Sequence, residues 1–254
     1  MIKAVFFDVD GTLLSHRTHG VPESTRLALS LLQQRNIKIV LATGRHFQEL
    51  VNLSLAHIPF DFYVLLNGQL CLDKARNFVY GKEISDMDAI LPFFRERTIP
   101  IQLLELDRVY INCVNEYVRS ALHDVSTSVP AIEDYTGSKV YQAIAYVDEK
   151  GAMTLRDQLP HCRITRWNDK AIDIIALSEG KVGGIKEYLN RTGLRPDEIM
   201  AFGDGENDME MLKFAGIGVA MGNAVAHARE CADYVTSDID ADGIMTALRH
   251  YHIL

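Results

Sequence analysis

Cysteine is scarce in this chain, with four among 254 residues. Cys71, Cys113, Cys162 and Cys231 stand too far apart for the close-paired ligands of a zinc site and are too few for a disulfide framework. A reduced, cytoplasmic setting is therefore expected. No apolar run reaches bilayer-spanning length, and the first residues lack a signal peptide's basic, apolar and small-residue regions in order, so neither membrane nor targeting is expected. Basic clusters are missing as well. Lysine and arginine are dispersed within a net charge of -8, which argues against nucleic acid, since phosphate backbones are held by clustered cations. Internal repeats, low-complexity tracts and Pro/Gly/Ser-rich linkers are absent too. What remains, 48% hydrophobic and 24% charged, is enough to bury the core of one large domain or two modest ones.

The chain is organised around its first dozen residues. Ile2-Lys3-Ala4-Val5-Phe6-Phe7 is a short apolar run with no alternation, the pattern of a parallel strand covered on both faces, and it stops at Asp8-Val9-Asp10-Gly11-Thr12. Two carboxylates thus stand at the carboxyl end of a strand, where open α/β sheets bind ligands. A plain Asp-Gly turn is the competing reading of Asp10-Gly11. Pro22 to Arg35 shows helical spacing behind Pro22 in a first-turn position. A second strand runs from Ile37 to Thr43 and breaks at Gly44-Arg45, and a helical pattern follows through Phe47, Leu50, Val51 and Leu53. Phe62 to Leu66 predicts a third strand, and Asn67-Gly68 predicts a hairpin turn into Cys71-Leu72.

From about Gly81 the texture changes. Short strands are predicted at 101–106, 109–112, 140–147, 162–167 and 171–176, with helices near 87–97, 116–124 and 149–159. Near Ser178 the first texture resumes, with a helix from Lys181 to Arg191 and a strand that ends at Gly203-Asp204-Gly205-Glu206-Asn207-Asp208. Further strands at 216–221 and 234–236 alternate with helices at 225–231 and 243–251. The expected fold is an α/β, Rossmann-like parallel-sheet core made of 1–81 and 178–254, interrupted by an inserted α+β domain at 82–177.

Acids at strand ends now number three groups: Asp8 with Asp10, Asp204, and Asp208 close by. Oxygen ligands gathered in this way suit a hard cation, Mg²⁺ above all, shared with a phosphate. For Asp208 two readings stand side by side, a helix-start acid favoured by the macrodipole and a supporting partner behind the metal.

These motifs, taken in order, resemble those of haloacid-dehalogenase-superfamily phosphatases of the Cof type, in which a large α/β cap is inserted into a Rossmann-like core. The match rests on Asp8-Val9-Asp10-Gly11-Thr12, Thr43 with Gly44-Arg45, Lys181 within Gly180-Lys181-Val182-Gly183-Gly184, and the Gly203-to-Asp208 stretch. The resemblance implies Asp8 as nucleophile and metal ligand. It implies Asp10 as general acid and base, binding the metal through its main-chain oxygen, and Asp204 as the remaining carboxylate on Mg²⁺. Thr43, Gly44, Lys181 and Asn207 would hold phosphoryl oxygens, and the cap would act as a substrate lid. The implied activity is Mg²⁺-dependent hydrolysis of a small phosphorylated metabolite, a sugar phosphate or phosphorylated cofactor, through an aspartyl-phosphate. Transfer of that phosphoryl group to a sugar, as in a phosphomutase, and a non-catalytic sugar-phosphate-binding regulator are the two alternatives.

The chemistry asks for these residue types independently. A phosphoryl group in flight spreads negative charge over its equatorial oxygens, so a site needs a cation, an ammonium and hydrogen-bond donors while a carboxylate attacks in line. Asp10 can protonate a leaving oxygen and later take a proton from water, which a threonine there could not do. Other polar residues receive plainer readings. His16 and His19 are expected to be exposed and to hold no metal. Arg45 is a candidate substrate contact or an ordinary first-turn residue. Asp173, interrupting Ile172, Ile174 and Ile175, is expected on the exposed face of its strand, and Asn67-Gly68 is expected to serve the hairpin rather than a substrate.

Overall fold

The computed structural model describes every residue except Asn52, Ser126 and Glu179. Along the chain come β1 (Ala4–Phe7), α1 (Glu23–Gln34), β2 (Lys38–Ala42), the single-turn α2 (Phe47–Leu50), β3 (Phe62–Leu65), β4 (Leu70–Asp73) and β5 (Phe78–Gly81). Next are α3 (Met87–Glu96), β6 (Ile101–Leu104), β7 (Val109–Ile111), α4 (Glu116–Asp124), β8 (Ala131–Ile132), β9 (Gln142–Ala145), α5 (Glu149–Gln158), β10 (Cys162–Asn168) and β11 (Ala171–Ala176). The chain closes with α6 (Lys181–Thr192), β12 (Ile199–Gly203), α7 (Met209–Phe214), β13 (Ile217–Ala220), α8 (Ala226–Cys231), β14 (Tyr234–Val235) and α9 (Gly243–His250). Two compact units result, one of Met1–Tyr80 with Glu179–Leu254, the other of Gly81–Ser178. Among the described residues no helix is long and apolar enough to cross a membrane.

The first unit is built on an eight-stranded sheet in the order β14-β13-β12-β1-β2-β3-β4-β5, parallel from β14 through β3. All four residues of β1 are buried because the strand lies inside the sheet. Its even-numbered side chains join those of β2 and β3 in a core closed by α6, α7 and α8, with Phe6 edge-on to Tyr188 at 5.5 Å. On the odd-numbered face Phe7 stacks on Phe202 at 5.2 Å. From β1 the chain proceeds to β2 on one side and returns as β12 on the other, so strand order reverses at β1. Ligands of doubly wound sheets bind outside the strand ends at such a reversal. Parallel register sets Phe7 beside Leu41 and Phe202, and it follows that Asp8, one residue on, and Thr43 and Asp204, two residues on, emerge together at the carboxyl ends of these strands.

The second unit has a six-stranded sheet, β10-β11-β9-β6-β7-β8, with a core of Ile101, Leu103, Tyr110, Ala143, Ile172 and Ile174 packed by residues of α3 and α5. The side chain of Asn112 holds the turn that leads into β6. Its Oδ1 accepts from the backbone N–H of Ile101 and of Cys113, each at 2.8 Å, and its Nδ2 donates to the carbonyls of Phe94 and Ile99 at 3.0 and 2.9 Å. Removing it strands buried donors and acceptors. Asn112→Ala is therefore expected to lower unfolding free energy by about 2–4 kcal/mol, measured by chemical denaturation. A loss below about 1 kcal/mol would show that water replaces the amide.

Several expectations need correction. Asp173 is buried rather than exposed. Its register partners across the sheet are Ile144 and Thr165, with Gln102 beyond, so alternation does turn it away from the apolar core. It lies on an interior strand, however, and facing away from one core is not the same as facing solvent. Helix α2 ends at Leu50 instead of running on to Leu53, and that expected continuation crosses Asn52, outside the described residues. Pro22 stands at the N-cap of α1 rather than inside its first turn. The sequence also left β5 and β8 unread, an edge strand without a buried residue and a two-residue exposed strand, because neither is a buried apolar run.

Candidate active site

The loop behind β1 turns back at once. Val9 O accepts from the N–H groups of Leu13 and Leu14 at 2.9 and 2.7 Å, while Gly11 N–H donates to Leu14 O at 2.9 Å. Gly11 adopts a φ of +79°, and a Cβ there would overlap the Asp204 carboxylate, so only glycine allows this turn to sit against β12. Thr12, fully buried, donates its Oγ1–H to Asp204 Oδ1 at 2.8 Å. Thr12 was read only as the close of the first motif, without a role, and Asn223, whose Nδ2 donates to Gly11 O at 2.8 Å, was not singled out. No local signal marks them, because both partnerships join distant parts of the chain.

Lys181 opens α6 directly behind Gly180, which has a φ of +61°. Its side chain is fully buried, and Nζ donates to Asp8 Oδ1 at 2.5 Å and to Asp208 Oδ1 at 2.7 Å. Asp208 Oδ2 in turn accepts from the N–H groups of Asp204 and Gly205, both at 2.9 Å. Asp208 stands at the start of α7, but its side chain makes no cap bond to that helix. It ties together the backbone of its own loop, and it shares the lysine with Asp8.

Asp8, Asp204 and Asp208 each offer an oxygen, all lying within 4.8 Å of one another. One ammonium faces three carboxylates. Burial pushes Asp8 up to about 7, opposed by Lys181 and reinforced by Asp208 and Asp10. Burial likewise pushes Asp204 up to about 8, with Asp8 and then Asp208 adding to it. Lys181 is held above its usual range because Asp208 and Asp8 outweigh its desolvation. The cluster therefore has more carboxyl groups than its one ammonium can balance, an all-oxygen donor set, and Asp208 already engaged in three hydrogen bonds. Asp8, whose second oxygen accepts no hydrogen bond among the described residues, and Asp204 are the carboxylates suited to a hard divalent cation.

The Asp10 carboxylate lies outside that cluster. Arg45 grips it with a two-pronged pair, Nε to Oδ2 at 2.7 Å and Nη2 to Oδ1 at 2.8 Å. Thr43, just past β2, is buried; its N–H donates to Val64 O at 2.9 Å and its Oγ1 accepts from Arg45 N–H at 3.1 Å. Asn67 joins this region, contrary to the expectation of a plain hairpin. Its N–H donates to Thr43 O at 3.0 Å, its Oδ1 accepts from Asn207 Nδ2 at 3.0 Å, and a Cβ on Gly44 would press against its amide. The β3–β4 connection is an antiparallel hairpin, but Leu66, Asn67 and Gly68 all have positive φ, a tight 3₁₀ turn in place of a two-residue loop. His16 and His19 are exposed, as expected.

Gly68 lets this turn meet α6. At φ +89°, a Cβ there would overlap the Gly180 carbonyl directly ahead of Lys181. Gly68→Ala is expected to cost about 1–3 kcal/mol from backbone strain, seen as a lower Tm, and to reduce kcat by displacing Lys181. A variant with unchanged Tm and kcat would show that the turn yields freely.

The profile of the haloacid dehalogenase-like hydrolases matches residues 5–248. The chain is 30% identical over 258 residues to YkrA of Bacillus subtilis (strain 168), a protein assigned to the phosphatases by name, with 99% of this chain and 98% of that protein covered. It is 27% identical to YcsE of the same organism, named as a 5-amino-6-(5-phospho-D-ribitylamino)uracil phosphatase, covering 98% of this chain and 96% of YcsE. Among solved structures, BT1666 from Bacteroides thetaiotaomicron, described among phosphatases of that superfamily, superposes with a TM-score of 0.91 at 33% identity, covering 100% of this chain and 96% of that one. BT4131, described as a subclass IIB sugar phosphatase, superposes with a TM-score of 0.88 at 34% identity, covering 99% and 100%.

Proposed function

The chain belongs to the haloacid dehalogenase-like hydrolase family and is a phosphoric monoester hydrolase; from that premise we propose that it hydrolyses small phosphomonoesters with Mg²⁺ through an aspartyl-phosphate on Asp8. The observation that carries this reading is the buried Asp8–Lys181–Asp208 relay beside Asp204, at the strand ends where strand order reverses.

In this reading a carboxylate oxygen of Asp8 attacks phosphorus as the bond to the leaving oxygen breaks, and Asp10 gives that oxygen a proton. Asp10 then takes a proton from water as the water attacks the aspartyl-phosphate, which frees inorganic phosphate and restores Asp8. Lys181 spends two of its three N–H groups on Asp8 and Asp208 and keeps one for a phosphoryl oxygen. Thr43 accepts from Arg45 N–H and keeps its own O–H to donate, with Gly44 and Asn207 as further holders of the phosphoryl group. Mg²⁺, held by Asp8, Asp204 and the main-chain oxygen of Asp10, would offset the repulsion between the Asp8 carboxylate and a phosphate dianion. Sugar phosphates and phosphorylated cofactor precursors are the substrate classes to try first, given the names carried by BT4131 and YcsE.

The test is a phosphomonoester panel with Mg²⁺, scored by kcat/KM and by mass spectrometry of the products. Free phosphate and an alcohol are expected. Phosphate carried onto a second sugar would replace hydrolysis with transfer, and no turnover on any monoester would sink the reading.

A further inference from the structure

We infer that Arg45 is the positioning residue for the general acid and base: its guanidinium fixes the Asp10 carboxylate in one orientation, apart from the Asp8–Asp204–Asp208 cluster. The inference deepens the phosphatase reading and rests on it.

The first support is the geometry of the pair. Nε and Nη2 meet the two different oxygens of Asp10 at 2.7 and 2.8 Å. A fork of this kind fixes the direction and rotation of a carboxylate, which a single ammonium would not do. Each carboxylate oxygen still has a second acceptor position, so the grip leaves room to exchange a proton with a reactant.

The second support is that Arg45 is itself held. Its N–H donates to Thr43 Oγ1 at 3.1 Å. The next residue, His46, caps α2: its Nδ1 accepts from Gln48 N–H at 3.2 Å, and its own N–H donates to Glu49 Oε2 at 2.7 Å. The Arg45 side chain is 9% exposed against 29% for Asp10, so the fork is seated and the acid it holds is the more accessible partner. An arginine evolved only to bind a substrate's polar groups needs neither a buried guanidinium nor both oxygens of a catalytic acid.

The third support is the charge pattern. Asp10 lies two residues from Asp8, yet the oxygen cluster is completed by Asp208 and not by Asp10. Without Arg45, nothing in the Asp10–Leu14 backbone bridge determines where the Asp10 side chain points. With it, one carboxylate of the first motif serves attack and the other stays available for proton transfer. Thr43 and Arg45 share one turn, so a single loop holds both a phosphate donor and the orienter of the acid.

The experiment compares an alkyl phosphate with nitrophenyl phosphate, using wild type, Arg45→Ala, Asp10→Asn and the double variant, with KM and kcat resolved. A misplaced acid hurts a poor leaving group and spares a good one. Arg45→Ala is expected to lower kcat/KM on the alkyl phosphate by about 10–10²-fold, while kcat/KM on nitrophenyl phosphate, which reports only the steps up to loss of the leaving group, changes less than about threefold; kcat falls on both esters wherever hydrolysis of their common aspartyl-phosphate, which needs Asp10 as base, limits turnover. In the Asp10→Asn background the same change should have little further effect, since the group being positioned is already disabled. Arg45→Lys, which keeps the charge but not the fork, is expected to show the same selective loss and serves if the alanine variant does not fold. Equal losses of kcat/KM on both substrates, a loss confined to KM, additivity with Asp10→Asn, or full activity of the lysine variant would each overturn the role. A wild-type protein inactive on both esters would instead overturn the phosphatase reading, and this inference with it.

Discussion

Asp8→Asn is expected to abolish phosphate release, with kcat falling on the order of 10⁵–10⁶-fold, the scale on which enzymes lose activity with their nucleophile. The amide has nearly the same shape, and its oxygen can still accept from Lys181, which donates to Asp8 Oδ1 at 2.5 Å in a fully enclosed setting. The fold should therefore survive, and Tm should stay within a few degrees of wild type. What the amide lacks is a nucleophilic oxygen. Wild-type enzyme quenched in acid during turnover should carry one extra phosphoryl group on the peptide containing Asp8, and the variant should carry none. Residual turnover within about tenfold of wild type, with a normal Tm, would mean that another group attacks phosphorus and that Asp8 acts only as a ligand.

The second large effect concerns the divalent ion. EDTA treatment is expected to remove essentially all activity, and Mg²⁺ to restore it. Ca²⁺ should restore little, because it accepts more oxygen ligands in looser geometry than the near-octahedral Mg²⁺ and would engage both Asp8 oxygens. The physical motive is the uneven charge of the cluster, in which Asp8, Asp204 and Asp208 share one ammonium and burial raises the pKa of both Asp8 and Asp204. Asp204→Ala should raise the Mg²⁺ concentration needed for half-maximal activity, and calorimetric titration of Mg²⁺ gives an independent reading of the same loss. Thr12→Val should shift it in the same direction by a smaller amount, since the 2.8 Å hydrogen bond that orients Asp204 would be gone. Full activity after exhaustive chelation would rule out a metal role for these acids.

The acids themselves were legible in the sequence because the signal is local. An apolar run that stops at an acid marks both the strand and the place where it ends, and this holds separately for Phe7-Asp8 and Gly203-Asp204. The strand–helix alternation fixed the parallel core in the same way, since each helix is the crossover that a parallel pair requires. The return of that texture near Ser178 was read in the same way, whereas β5 and β8, partly or wholly exposed strands with no buried apolar run, did not register.

Which groups face one another was decided only by the tertiary structure, because that depends on register and side-chain direction between segments far apart in sequence. Asn67 and Asn207, 140 residues apart, meet only because the β3–β4 turn and the loop after β12 come together. Thr12 reaches Asp204 across 192 residues because β1 pairs in parallel with β12. Asp208, read as a helix-start acid or a partner behind the metal, turned out to share Lys181 with Asp8. Asp10, adjacent in sequence to the oxygen cluster, turned out to face Arg45. Sequence order alone determined where the acids would stand, since covalent neighbours dictate where a strand ends. The assignment of partners awaited the fold, since an ion pair is settled by distances of about 3 Å that no local pattern encodes.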